Sequence, residues 1–150
     1  METGESTGRP VAPGVFEVRR DGPVLIGATC PSCGVTSFPV ESSCPRCLSE
    51  TMEPCDLPRS GVLWSWTTQG FPPKSPPFRG AASADSFEPY LVGYIDLGRV
   101  IVEARLVGVE PAAVRIGQAV ELRLVPFPMS ADDGSVDDVL IHAFAPVGAP

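Results

Sequence analysis

Residues 30–47 read Cys30-Pro31-Ser32-Cys33-Gly34-Val35-Thr36-Ser37-Phe38-Pro39-Val40-Glu41-Ser42-Ser43-Cys44-Pro45-Arg46-Cys47. Two Cys-x-x-Cys pairs stand ten residues apart, a spacing at which four thiolates converge on one tetrahedral metal ion. Pro31 and Pro45 preset φ at the second position of each turn. Gly34 supplies a positive φ just after the first pair. Such turns fold backbone N–H groups back toward the sulfurs. The set Cys30, Cys33, Cys44 and Cys47 is closed, with every ligand supplied by the protein, so the site reads as structural and not catalytic.

The flanks are short and β-prone. Val15 to Val18 alternates, Asp21-Gly22 is a hairpin signal, and Val24-Leu25-Ile26 runs straight into Cys30. Val35 to Val40 is broken by Pro39, and Thr51 to Leu57 reads as another short strand. Residues 15–58 are therefore expected to form a zinc ribbon with almost no core of its own, held by its metal–thiolate bonds. Residues 1–14 are small, polar and rich in Pro and Gly, and are expected to be a disordered tail. Iron also suits four thiolates. Leu48 follows the second pair where rubredoxin knuckles carry glycine, which turns the reading toward zinc.

Beyond Pro58 the pattern changes. Gly61-Val-Leu-Trp-Ser-Trp-Thr-Thr-Gln69 alternates, with Val62, Trp64, Trp66 and Thr68 expected on one face. Tyr90 to Leu97 and Val100 to Val107 form a hairpin turning at Gly98. Pro111 sits at a plausible first helical position. Ala119 to Val125 is a strand that Pro126-Phe127-Pro128 is expected to stop. Residues 129–138 read as an acidic loop, and Val139 to Ala145 as the last strand. Five strands with Gly-marked turns and no long amphipathic helix fit a small OB-type barrel over residues 59–146, with 147–150 frayed. The fold class is mainly β: a rubredoxin-like zinc ribbon followed by a five-stranded OB-fold barrel. Trp64 and Trp66 are expected in the barrel core, since tryptophan usually buries its large area. Stacking on nucleic-acid bases is the other use of such a pair.

Composition narrows function. The chain has 150 residues, 18 of them proline and 15 glycine, which favours short strands and turns. A net charge of −7 with only 11 Lys plus Arg opposes a continuous groove for a phosphate backbone. The opening Met1-Glu-Thr-Gly-Glu carries no basic or apolar leader, and no apolar run is long enough for a membrane span. A reducing cytoplasm is the expected setting, where paired Cys-x-x-Cys means metal and not disulfides. Cys55, the fifth cysteine, is flanked by Glu53 and Asp56, which disfavour a thiolate, so a packed thiol is expected. His142 is the only histidine and is read as a wall residue of the barrel. No Ser-His-Asp order, phosphate-cradling glycine loop or paired carboxylates stand out.

Cys30-x-x-Cys33-Gly34, Phe38-Pro39, Cys44-Pro45-x-Cys47, Ser60-Gly61-x-Leu63-x-Ser65-x-Thr67 and Pro89-Tyr90-x-Val92-Gly93-Tyr94-Ile95-x-Leu97, with Arg105-Leu106-x-Gly108 and Ile116-Gly117-x-x-Val120, resemble the DUF35 family over residues 24–145. That resemblance implies an accessory role: a non-catalytic subunit that binds acyl-CoA and completes a thiolase, a hydroxymethylglutaryl-CoA synthase-like enzyme or a thiolase-like aldolase. The catalytic residues would then belong to the partner. Residues 1–18 depart from the family, many of whose members begin with an amphipathic helix.

The long connection over residues 70–89 is the expected place of contact. Phe71, Lys74, Phe78 and Arg79 put aromatic and cationic groups on a proline-stiffened segment. Lys74 and Arg79 suit acyl-CoA phosphates, and the aromatics suit its apolar part. Arg46 and Arg59, near the junction of ribbon and barrel, are further phosphate candidates. A proline-rich surface that docks a partner is the compatible plainer reading. A nucleic-acid-binding OB module with a structural zinc is the alternative function, and the charge argues against it.

Overall fold

The computed structural model describes residues 9–72, 87–130 and 133–150. Lys74, Phe78 and Arg79 fall outside them. The first strand, β1 (Arg9–Pro10), joins the barrel sheet, and the ribbon holds β2 (Phe16–Arg19), β3 (Gly22–Thr29), β4 (Thr36–Ser37) and β5 (Glu53–Asp56). The barrel is built from β6 (Ser60–Gln69), β7 (Tyr90–Asp96), β8 (Ile101–Leu106), β9 (Ala119–Ser130) and β10 (Val136–Pro146). A short 3₁₀ turn, Pro111–Ala113, lies between β8 and β9, with proline at its first turn.

The barrel closes. β6, β7 and β8 pair antiparallel in sequence order, and β8 pairs parallel with β10 through Arg105↔Ala143 and Leu106↔Phe144. β10 runs antiparallel along β9, and β9 returns to β6 from Ser60↔Glu121 to Val62↔Ala119. One parallel seam in an otherwise antiparallel ring leaves no open edge in the closed part. Leu63, Ile95, Val102, Val120 and Phe144 fill the interior, all essentially fully buried.

The ribbon is less independent than its composition implied. Phe16 and Leu25 of the ribbon and Leu57 just beyond β5 belong to the same buried cluster as the barrel residues. Val24, Leu25, Ile26 and Ala28 are all buried, so both faces of β3 are covered. The ribbon therefore caps the barrel and shares its core.

Three expectations about strands are corrected. Trp64 is 58% exposed and does not enter the core. The register of β6 against β7 slips between Leu63 and Ser65, where Leu63 faces Ile95 and Ser65 faces Tyr94. Trp64 is the extra residue of a β-bulge. The bulge turns an odd-numbered and an even-numbered residue, Leu63 and Trp66, toward the same interior; Trp66 packs against the core as expected. Pro126 and Pro128 do not stop β9, which continues through Ser130. They stand two residues apart, so their missing N–H groups fall on one side. Among the described residues β9 pairs there with β10 alone, leaving its other side an edge that tolerates proline. The expected acidic loop shrinks accordingly, because β10 begins at Val136.

The first and last described residues are also tied down. Arg9 and Pro10, inside the segment expected as a tail, pair parallel with Val139 and Leu140. At the C-terminus, Val147 N–H donates to Ala119 O at 3.1 Å, and Arg123 donates to Ala149 O at 2.8 Å.

Candidate metal centre and the surface around it

The two knuckles share one local geometry. Cys30 N–H donates to Val35 O and Gly34 N–H to Cys30 O, each at 2.9 Å. In the second, Cys44 N–H donates to Ser49 O at 2.8 Å and Leu48 N–H to Cys44 O at 3.0 Å. Gly34 and Leu48 thus occupy equivalent positions, with φ of 78° and 64°. Glycine takes that conformation freely, whereas leucine does so at a cost of about 1–2 kcal/mol. Arg46 and Cys47 N–H groups point at Cys44 Sγ, at 3.3 and 3.4 Å.

The four sulfurs converge. Their Sγ atoms all lie within 4.8 Å of one another, with Cys30–Cys47 at 3.6 Å and Cys33–Cys44 at 3.5 Å. Tetrahedral zinc with bonds of about 2.3 Å requires sulfur separations of about 3.8 Å, so the cage fits. The cage also explains the acidities. Cys30 is drawn down to about 6, chiefly by the Cys33 N–H and also by that of Ser32. Cys44 is lowered by the N–H groups of Cys47 and Arg46 against the opposing effect of its burial. Cys47 is helped by the Ser49 N–H yet rises to about 11, because the sulfurs of Cys30, Cys44 and Cys33 crowd it. Four neighbouring thiolates repel unless a cation sits among them, so metal binding releases protons and stabilises the fold together.

The junction is latched by arginines. Arg59 donates to both Asp21 carboxylate oxygens, at 2.8 and 2.9 Å, and its Nε donates to Pro23 O at 2.8 Å. Arg19 forks onto the Asp56 carboxylate and also reaches Glu17 at 2.9 Å. Arg59 is therefore engaged by the β2–β3 turn. Arg46 stands exposed beside the metal cage. Cys55 packs half-buried against the core, its Sγ 3.3 Å from Thr29 Oγ1.

Residues 21–53 match the family described as ChsH2, rubredoxin-like zinc ribbon domain, and residues 55–125 match ChsH2, C-terminal OB-fold domain. The benzoylsuccinyl-CoA thiolase subunit BbsA of Thauera aromatica is 37% identical over 113 residues, covering 73% of this chain and 71% of that protein. The chain belongs to the DUF35 family. A DUF35 domain-containing scaffold protein of Methanocaldococcus jannaschii is 29% identical over 114 residues, 75% of each chain. The solved Ltp2-ChsH2(DUF35) aldolase shares the fold, with a TM-score of 0.57 and 24% identity over 82% of this chain and 84% of that one.

Within this DUF35 chain the four-cysteine cage is a structural zinc site. No helix among the described residues is long and apolar enough to cross a membrane.

His142 lies in the wall of the DUF35 barrel, its ring edge-on to Phe38 of the ribbon at 5.4 Å between centroids. Its Nε2 donates to Glu103 O at 3.0 Å, and its Nδ1 is buried without a partner. Burial holds the imidazole below its ordinary 6.5, against the Glu103 carbonyl, which pulls it up. A depressed folded value leaves stability whole above the ordinary pKa. As pH falls through that value the unfolded chain takes the proton first, and stability declines. The melting temperature is expected to fall between about pH 7.5 and about pH 5.5. His142→Gln should lose less over the same interval; an equal loss would put the titrating group elsewhere.

Sequence reasoning passed over Arg105 except as a residue of the family likeness. It stands half-buried on β8 between aromatic side chains, on a strand position that reads from its neighbours as plain solvent face.

Proposed function

We propose that this chain is a non-catalytic subunit that assembles with a thiolase-like or aldolase catalytic subunit and helps hold that partner's acyl-CoA. The observation that carries the reading is the 37% identity with a protein named as a thiolase subunit, extending over 71% of its length. The chemistry of the described residues agrees. The cysteine cage is closed, the Cys55 sulfur lies against a threonine hydroxyl, and His142 bonds a carbonyl, so none of these forms a nucleophile–base pair. Lys74, Arg79 and the exposed Arg46 are the proposed phosphate contacts, with Phe78 against the apolar part. Arg59, already held by Asp21, serves the junction in this reading.

Co-expression with the catalytic protein encoded beside it should give a stable hetero-oligomer on size-exclusion chromatography, and the chain alone should be inactive. Failure to co-purify with any such protein, together with salt-sensitive DNA binding, would favour the nucleic-acid reading. The exposed Trp64 is the one observation that suits that reading, and the charge of −7 opposes it.

A Lys74→Ala/Arg79→Ala double variant is expected to weaken binding of a CoA ester by the complex at least about tenfold, the worth of one charge-assisted hydrogen bond. Unchanged affinity by calorimetry would remove the connection over residues 70–89 from the site.

A further inference from the structure

Arg19, Arg59 and Arg123 pair with carboxylates, and Arg115 donates to the Ala112 and Val114 carbonyls. Arg105 has neither kind of partner among the described residues. Its Cζ lies 3.8 Å over the centroid of the Tyr90 ring and 5.0 Å from that of Phe127. It is half-buried; desolvation works against its charge, and the Tyr90 hydroxyl is the one oxygen that supports it. An aromatic ring covers a guanidinium face and leaves the in-plane N–H fork free for an anion. Burying an arginine without a counter-charge is costly, so a strand keeps one there for a reason.

Beside it is a cavity of about 240 Å³. Val11, Val92 and Ile141 supply apolar walls, and Tyr90, Glu103, Arg105 and His142 supply polar ones. Glu103 stands opposite Tyr94 across the strands, raises that hydroxyl's pKa, and makes no ion pair with Arg105 among the described residues. The cavity thus offers one cationic fork and an apolar surround, which is how a small-molecule site is built.

We propose that this cleft binds an organic oxyanion, a carboxylate or phosphate on a short apolar body, with Arg105 as its ion-pair partner. The proposal does not depend on assembly with a catalytic partner. The anion has two possible sources, a free hydroxy acid or the phosphopantetheine end of a CoA ester.

The test is calorimetry on the zinc-loaded full chain with two charged probes and their neutral counterparts: mandelate against mandelamide, and 4′-phosphopantetheine against pantetheine. At least one charged probe should bind about tenfold or more tightly than its counterpart, the discrimination one charge-assisted bond supplies. Mandelate alone identifies a free acid, phosphopantetheine alone the CoA end, and both the shared chemistry. Arg105→Gln should remove that preference. Arg105→Lys, which keeps the charge but cannot fork, should weaken it, and serves if the glutamine variant fails to fold. Equal binding of charged and neutral probes, no binding of either charged probe, or unchanged affinity in the Arg105 variants would overturn the proposal.

Discussion

Cys30→Ser or Cys44→Ser is expected to empty the metal cage and melt the ribbon off the barrel. Structural zinc contributes about 10–16 kcal/mol to a small domain, whereas whole domains are stable by only about 5–15 kcal/mol. Both residues are buried, at 1% and 0% exposure, so water cannot enter to replace the lost sulfur as a ligand. The damage does not stay in the knuckles. β3 leads into Cys30 and carries Leu25 into the shared core, so loss of the cage uncovers that end of the barrel. Zinc content should fall from one per chain to none, and the melting temperature by at least about 10 °C. Partner assembly should fail with it. A serine variant that lost zinc yet assembled normally would show that the cage is not structural.

Phe144→Ala is the second large effect. Phe144 is fully buried, sits opposite Leu106 across the parallel seam, and its carbonyl accepts the Val107 N–H at 2.9 Å. Removing a buried phenyl ring loses its transfer free energy and leaves a cavity that the strands on either side cannot collapse, a cost of about 3–5 kcal/mol. The unfolding free energy from urea titration should drop by that amount with the zinc content unchanged, which separates it from the cysteine variants. A loss under about 1 kcal/mol would mean that the seam is not where the barrel is held shut.

What could be read from the chain and what could not divides along physical lines. The metal ligands are legible because ligation needs particular atoms at a particular spacing. The five barrel strands are legible because glycine turns punctuate period-two patterns. The bulge at Trp64 is not, since an inserted residue leaves the local alternation of residues 62–68 unbroken; only the partner strand reveals the slip. Pro126 and Pro128 mislead because the rule against proline in strands lapses on an edge, and edges are set by topology. Arg9–Pro10 has no strand pattern at all; its place comes from the backbone of β10. Arg105 escapes because a strand arginine reads as solvated until the rings of Tyr90 and Phe127, distant in sequence, are seen beside it. The contacts proposed for Lys74, Phe78 and Arg79 fall outside the described residues and rest on the calorimetry set out above.

The bulge in β6 has a spectroscopic consequence. It sends the two tryptophans of the chain into different environments: Trp64 faces solvent, and Trp66 packs against the core. Indole emission moves to longer wavelength in water, so the protein carries two separable optical reporters two residues apart. A Trp66→Phe chain would fluoresce only from the surface and register whatever covers that strand. A Trp64→Phe chain would fluoresce only from the interior and register melting of the barrel. Docking and unfolding can therefore be followed in the same molecule without an added label.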